Sequence, residues 1–504
     1  MPFARRRTDR YDARLQPRLV ALLAFALTSC GTVPETPASN LVGDMPTVAR
    51  AADGSYISWR EHIIDDREIS GVAIAGSDGL TGGDLDLDGH MDLVSVHESD
   101  TTYDGVADGH IRLAFGSDDP DQWTLATLAE GPEAGAAEDA DIADVNGDGY
   151  PDIIAACELA HLIYFQNPGK DARTARWERL ILPLSLNRGS FIRAFFADFD
   201  GDGKPEVVTP NKGGQNPALD TEELGPISWL EITGDPLQPD SWTEHVITKV
   251  RIPINSLPID FDHDGDLDIM AGSRGERRIF WLENLGGGTI KFAEHKINVA
   301  GTTFPNELRP ARYPKDGETL LTGSHLEFED LNGDGRLDVI LAEATNLIWL
   351  EQPAEENAVW ATHQIGSFYP DAMTSFRFAD INQDGRPDLI AGSYSQDPRD
   401  HDSEAVTKND RLGRLAWFEQ PADPMVEWTR HDISRRKRGM FDKFLAKDMD
   451  GDGDVDFIGT RANSVPWDGV YWLEQVRTPT PVKSFERARD EDSMEMPLPS
   501  PPEH

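Results

Sequence analysis

The 504-residue chain has two cysteines, Cys30 and Cys157, so no disulfide framework can staple it. Positive charge is also scarce. There are 47 Lys and Arg against 90 Asp and Glu, a formal net charge of −43. So acidic a chain lacks the basic face that phosphate recognition needs, which argues against a nucleic-acid partner. No long window keeps a 3.6-residue apolar period, so long helices are not expected. There is no Ser nucleophile elbow, no His-Glu-x-x-His helix and no phosphate-cradling glycine loop. Gly286-Gly287-Gly288 reads most simply as a hairpin turn. Apolar residues are not lacking: 38 % of the chain is hydrophobic, with 12 Trp and 21 Phe, enough for a packed core.

What the chain has instead is one acidic loop written seven times. One copy runs Asp448-x-Asp450-x-Asp452-Gly453-x-x-Asp456. The others are Asp84/Asp86/Asp88/Asp92, Asp144/Asn146/Asp148/Asp152, Asp198/Asp200/Asp202/Glu206, Asp260/Asp262/Asp264/Asp268, Asp330/Asn332/Asp334/Asp338 and Asp380/Asn382/Asp384/Asp388. A glycine follows the third position each time: Gly89, Gly149, Gly203, Gly265, Gly335, Gly385 and Gly453. Alternate residues of a tight loop can turn their oxygens toward one hard cation, and the glycine lets the backbone double back. Several oxygens at this spacing suit Ca²⁺ better than the stricter octahedron of Mg²⁺, and no Cys or His invites a softer metal. The loop closes at its ninth position, whereas the EF-hand closes with Glu at its twelfth between helices. Of the 28 loop positions three are Asn, so the loops hold 25 of the 90 carboxylates. Up to seven structural Ca²⁺ would return 14 positive charges, so part of the acidity is ligand rather than surface.

The copies start 60, 54, 62, 70, 50 and 68 residues apart. A period of about sixty residues overrides a domain count taken from length. In the sixth unit, Thr374–Ala379 reads as a first strand, Leu389–Gly392 as a second, Arg414–Gln420 as a third and Val426–Ile433 as a fourth. Four antiparallel strands per repeat, seven times, predict an all-β propeller. Third strands recur around Trp229, Trp281, Trp349 and Trp472, and fourth strands as Trp242…His245, Phe292…His295 and Trp360…His363. Residues repeated this regularly are expected to pack blades together rather than to catalyse. The last repeat lacks its fourth strand, while an orphan copy, Trp59-Arg60-Glu61-His62, precedes the first loop. Residues 57–64 are therefore expected to complete the seventh blade against residues 470–474.

The flanks read differently. Arg5, Arg6, Arg7, Arg10, Arg14 and Arg18 precede the apolar run Leu19–Leu27, too short for a mature membrane span. The sequence Leu27-Thr28-Ser29-Cys30-Gly31 resembles a bacterial lipoprotein signal. That resemblance implies a signal peptide over 1–29, lipid attachment at Cys30 and export to the cell surface, outer membrane or periplasm. Residues 30–55 are expected to be a flexible tether, 56–476 the propeller and 477–504 a disordered, Pro-rich charged tail.

The Asp-x-Asp-x-Asp-Gly-x-x-Asp loops with their following apolar strands resemble the FG-GAP/VCBS repeat family, whose relatives include the integrin α-subunit head. The resemblance covers about residues 56–476. It implies a seven-bladed propeller with Ca²⁺ between the first two strands of each blade, and much less about activity. Glu206 and the three Asn depart from the all-Asp pattern, which implies weaker binding there. A fainter likeness, in the Trp-Leu-Glu-Gln-Pro…Trp-x-x-His rhythm, is to the propeller of fungal aldos-2-ulose dehydratases.

Two rings of positions are candidate ligand contacts. Five residues before the loops stand Arg193, Asn255, His325 and Lys443, and five after the last ligand stand His97, Asn211, Glu343 and Arg461. Both rings should gather at the channel mouth on the face away from calcium. The expected function is a binding, adhesion or scaffold module, with a carbohydrate or protein ligand on that face. The alternative is a carbohydrate-active enzyme, a polysaccharide lyase or dehydratase, on the same face. Basic residues before the inner strands (Arg188, Lys249, Arg251, Arg309, Arg312 and Arg435 to Arg438) suggest an anionic or polyhydroxylated ligand.

Overall fold

The computed structural model describes residues 39–99, 105–299, 321–355 and 358–500. The expected signal peptide, Cys30 and Arg309 and Arg312 lie outside the described residues. The described chain forms seven small sheets arranged as the blades of a β-propeller. Blade 1 comprises Ser77–Gly83, Asp92–His97, His110–Phe115 and Thr124–Glu130. Blades 2 to 6 repeat the antiparallel order, beginning at Ala137, Phe195, Pro253, Leu326 and Ala372. Blade 7 takes Phe444–Lys447, Asp456–Arg461 and Gly469–Thr478 from the C-terminal end and Tyr56–Asp66 from the N-terminal end. Its register sets Trp59 opposite Gln475 and His62 opposite Trp472. Tyr56–Asp66 thereby covers the outer edge of Gly469–Thr478, an edge that could otherwise template aggregation.

The core is not one mass but eight clusters among the described residues, two of them between blades 3 and 4. Each cluster of buried apolar side chains spans two neighbouring blades, as with Val94, Ile111 and Phe115 of blade 1 against Ile153, Ile163 and Phe165 of blade 2. The last cluster joins Ile458 and Trp472 of blade 7 to Leu80 and Leu93 of blade 1, so the ring is closed by the same packing throughout. The recurrent aromatics divide into two roles. Third-strand Trp229, Trp281, Trp349, Trp417 and Trp472 stack on cross-strand His245, His295, His363, His431 and His62 of their own blade, with ring centroids 4.1–4.6 Å apart. Each His Nε2 meets a glutamate two residues beyond the Trp, as His245 meets Glu231 at 2.8 Å. These pairs brace blades internally, which corrects the expectation of inter-blade packing for the histidines. Fourth-strand tryptophans do cross between blades: Trp360 stacks on Phe261 of blade 4, and Trp242 packs against Tyr164 of blade 2.

The chain ends differ from the tether and tail expected of them. Val42, Ala49 and Ala51 are buried, and Thr47 N donates to Val482 O at 2.8 Å. Phe485–Glu486 adds a parallel strand outside Tyr56–Asp66, and Phe485 is buried. Beneath this double strap lies an ion network among fully buried side chains. Glu61 accepts from Arg436 at 2.8 Å and Arg461 at 3.4 Å, and Asp492 accepts from the same two at 2.7 and 2.6 Å. Charge-rich composition signals disorder when charges lack partners. Here the partners of the tail carboxylates stand in other parts of the chain, where a local reading cannot find them.

Two outcomes test this closure. Trp59→Ala should lower stability by about 3–5 kcal/mol, the range for an aromatic truncated in a core, as read from urea unfolding. Burial alone would raise the Asp492 carboxyl, but Arg461 and Arg436 hold it down at about 2. A group lower in the folded state stabilises fully above its unfolded value and loses that contribution as pH falls. Asp492→Asn should therefore destabilise the protein at neutral pH and flatten the loss of stability between about pH 4 and pH 2. Unfolding curves of a freely mobile tail variant would match the parent.

Candidate functional site at the channel mouth

Each acidic loop joins the first strand of a blade to the second, and its ninth residue opens the second strand. The glycine after the third position has φ between +85° and +96° in all seven copies, the left-handed region that a side chain would strain. In six copies that glycine's N–H donates to the first carboxylate at 2.8–3.1 Å. The ninth-position carboxylate is buried in every blade and accepts the N–H of the loop's second residue, as Asp92 does from Leu85 at 2.8 Å. Oxygens of Asp84/Asp86/Asp92, Asp198/Asp200/Glu206, Asp260/Asp262/Asp264 and Asp448/Asp450/Asp456 lie within 4.8 Å of one another in their groups. That donor set fits a hard divalent cation.

In three of these four groups the third loop position stands outside, whereas in blade 4 it is the ninth, Asp268, that does. Asp88, expected to ligate beside Asp84, Asp86 and Asp92, stands outside their group. Its carboxylate pairs instead with Arg173 Nη2 at 2.5 Å and accepts the N–H of His90 at 2.9 Å. The same guanidinium, from blade 2, also pairs with Asp86, so Arg173 brings positive charge to two of the four expected ligands of this loop. Asp202 and Asp452 also fall outside their groups, each accepting the N–H two residues on, from Lys204 and Asp454. The loops with Asn332 and Asn382 fit a cation less well, because Arg336 and Arg386 pair with their third residues, Asp334 and Asp384.

At the other ends of the same strands, the channel opens into a cavity of about 370 Å³. It is lined by the residue six before each loop: Asp78, Glu138, Ile192, Ile254, Ser324, Thr374 and Asp442. It is also lined by the residue six after the last ligand in six blades: Glu98, Glu158, Lys212, Arg274, Tyr394 and Ala462. Acidic groups fall on adjacent blades 7, 1 and 2, and basic ones on blades 3 and 4, so the mouth is bipolar. In blades 1, 2 and 4 the first of these residues is an extra one in the strand. Ser77 pairs with His97 and Gly79 with Val96, leaving Asp78 unpaired between them, and Glu138 and Ile254 repeat this. Such bulges re-aim a side chain at the rim of a closed sheet.

Burial dominates the electrostatics. It pushes Asp78 and Glu98 well above the ordinary carboxylate range, with their mutual repulsion and that of Glu138 adding to it. Glu138 is raised to about 7 by burial and by Glu158. Asp442 goes the other way: burial would raise it, but His325, Arg193 and Lys443 together bring it below its usual value. Lys212 is paired with Glu158, and Asp139 is shared by Arg193 and Lys443 at 3.4 Å each.

The FG-GAP-like repeat model matches residues 84–155, 144–209 and 330–391, each match starting on the first aspartate of a loop. The protein is an FG-GAP-repeat β-propeller. Among solved structures it is similar to an Agrocybe aegerita lectin described as recognising non-reducing terminal N-acetylglucosamine. The identity is 12 %, over 82 % of this chain and 88 % of that one, with a TM-score of 0.42. A likeness at that level bears on neither ligand nor mechanism. None of the curated proteins matches the chain.

In this FG-GAP-repeat propeller the ring of candidates divides. Arg193 and His325 line the mouth, and Asn255, His325 and Lys443 line a second cavity beside it. The other four do not line the mouth. His97 is buried between the hydroxyls of Ser77 and Ser95, at 2.7 and 3.0 Å. Asn211 braces a turn, accepting from Gly213 N and donating to Arg188 O. Glu343 is buried at the end of its strand. Arg461 belongs to the ion network under the terminal strap. The cause is a one-residue offset: successive side chains of a strand point to opposite sides, and the second strand already lies one step from the axis. Nor do most of the basic residues before inner strands serve the mouth. Arg435 is spent on Asp371, Arg436 on Glu61 and Asp492, and Arg188 on Glu244. The long insertions do reach it, through Gln215 and Asn216 of one and Arg399 of the other.

The loops make a graded prediction. A cation binding only the folded chain adds roughly 2.7 kcal/mol per site at 100-fold excess over its Kd. Chelation should lower the Tm, Asp450→Ala should lose one bound ion, and Asp384→Ala should change Tm less than Asp450→Ala does. Calorimetry with and without EDTA checks this, and an unchanged Tm on chelation would show the loops to be empty acidic turns.

Proposed function

We propose that this propeller is a binding module whose ligand is a carbohydrate seated over the channel mouth, on the face opposite the acidic loops. The observation carrying this reading is the lining itself. All seven blades contribute, mostly through polar or charged side chains, with carboxylates on one side and basic groups on the other. A polyhydroxylated ligand needs donors and acceptors together, since each buried hydroxyl left unpaired costs free energy. In the same reading Ca²⁺ in the blade loops is structural, and export with lipid attachment at Cys30 would place the module at a cell surface.

A second reading, a carbohydrate-active lyase or dehydratase, is favoured by one observation. Glu138, raised to about 7, sits in the same cavity as Arg193 and His325. A carboxyl poised there can move a proton near neutral pH.

A glycan array on the calcium-loaded protein, followed by product analysis of each hit, separates these readings. Bound glycan recovered intact supports the binding module, whereas a shortened or unsaturated product supports the enzyme. Arg274→Ala/Asn216→Ala should weaken binding by about tenfold, worth about 1.4 kcal/mol. Lys204→Ala, on the loop face, should leave it unchanged. Binding lost only through loop-face changes, or a protein ligand in place of any glycan, would reject the proposal.

A further inference from the structure

We infer that the channel mouth holds its own divalent, oxygen-preferring cation, bound by Asp78 and Glu98 of blade 1 and Glu138 of blade 2, separate from the blade loops. Oxygens of these three carboxylates, drawn from three strand ends, lie within 4.8 Å of one another. Ca²⁺ binds oxygen at 2.3–2.6 Å, so two oxygens on one ion are at most about 5 Å apart. Asp78 and Glu98 are 5 % and 6 % exposed, and neither carboxylate has a hydrogen bond or ion pair among the described residues.

An independent observation points the same way. Glu158, 4 % exposed and lining the same cavity, gives Oε1 to Lys212, while its Oε2 is buried without a partner. A buried carboxylate oxygen left unsatisfied is costly, and a nearby cation or its bound water would meet that need. Of the basic groups lining the cavity, Lys212 is paired with Glu158, Arg193 with Asp139 and Arg399 with Asp397 at 3.4 Å. His325 is turned to Asp442 at 3.5 Å, so the donor set is oxygen alone, which selects a hard ion over zinc or copper. The bulges at Asp78 and Glu138 bring the two blades' carboxylates to one point.

Three protein ligands leave several positions of such an ion open to the cavity, where paired hydroxyls of a sugar could coordinate. That last step rests on the proposed carbohydrate ligand; the ion site does not. The test is the number of Ca²⁺ retained per chain after equilibrium dialysis, measured without glycan. Glu98→Gln/Glu138→Gln should retain one ion fewer than the parent, with an unchanged circular dichroism spectrum. Under EDTA it should melt no lower than the parent, because a repulsion has been removed. A folded double variant retaining the parent's full count would overturn the site. Should that variant not fold, crystals of the parent soaked in Mn²⁺ decide: an anomalous peak among Asp78, Glu98 and Glu138 supports the site. Peaks at the blade loops without one at the mouth refute it. Glycan binding that persists in a variant lacking the ion would leave the site standing and remove only the coordination by hydroxyls.

Discussion

Each blade depends on one buried carboxylate at the head of its second strand. In six blades it accepts two main-chain N–H groups, one from the loop and one from the end of the third strand or just past it, as Asp338 does from Leu331 and Gln352. The same side chain therefore fixes the loop, starts the second strand and sets the end of the third. Burying a charge this way is unfavourable unless hydrogen bonds and opposite charge offset it. Burial indeed raises all seven, to about 6 or 7. The neighbouring loop carboxylates aggravate that cost and at the same time supply the oxygens by which a cation would reverse it.

That constraint is why the fold was legible in the sequence. A carboxylate that must sit at the ninth position, with a glycine at the sixth, leaves a mark that survives wide variation in blade length. The strand assignments then follow by counting outward from it, and Tyr56–Asp66 is recognisable because it completes a pattern whose last copy is short. The loop pattern could not show which carboxylates an arginine claims: Asp88 matches its motif fully, yet Arg173 reaches it from 85 positions along the chain. The mouth was missed by one residue. Position −5 is where an ideal strand would place the channel-facing side chain; the bulges at Asp78, Glu138 and Ile254 move that role to −6. A bulge is a property of the pairing between two strands, and nothing in Gly76–Leu80 taken alone announces it.

Charge patterning misled for a different reason. The run Arg435–Arg438 reads as a surface that attracts anions, yet Arg435 and Arg436 are wholly buried and their partners are Asp371, Glu61 and Asp492. The acidic C-terminal segment reads as solvated for the same reason. Each half of the network is a charge excess in its own stretch of sequence, and the excesses cancel only once the ring has closed. Local composition is informative where charges interact with neighbours in the chain, as in most of the loops. It fails where they interact across the seam between the termini.

The two faces of the propeller divide what a single site would have to combine. On one face carboxylates are gathered at a spacing that recurs in every blade, as suits a purely structural task. On the other the same strand ends vary from blade to blade, acidic over blades 7, 1 and 2 and basic over blades 3 and 4. Unneutralised carboxylates such as Asp78 and Glu98 oppose folding, and a fold of marginal stability could not keep them. The inter-blade cores and the buried salt-bridge network under the terminal strap hold the ring shut without help from the mouth. The mouth is therefore free to hold charges in an arrangement that a ligand or ion completes, rather than one the protein has already satisfied.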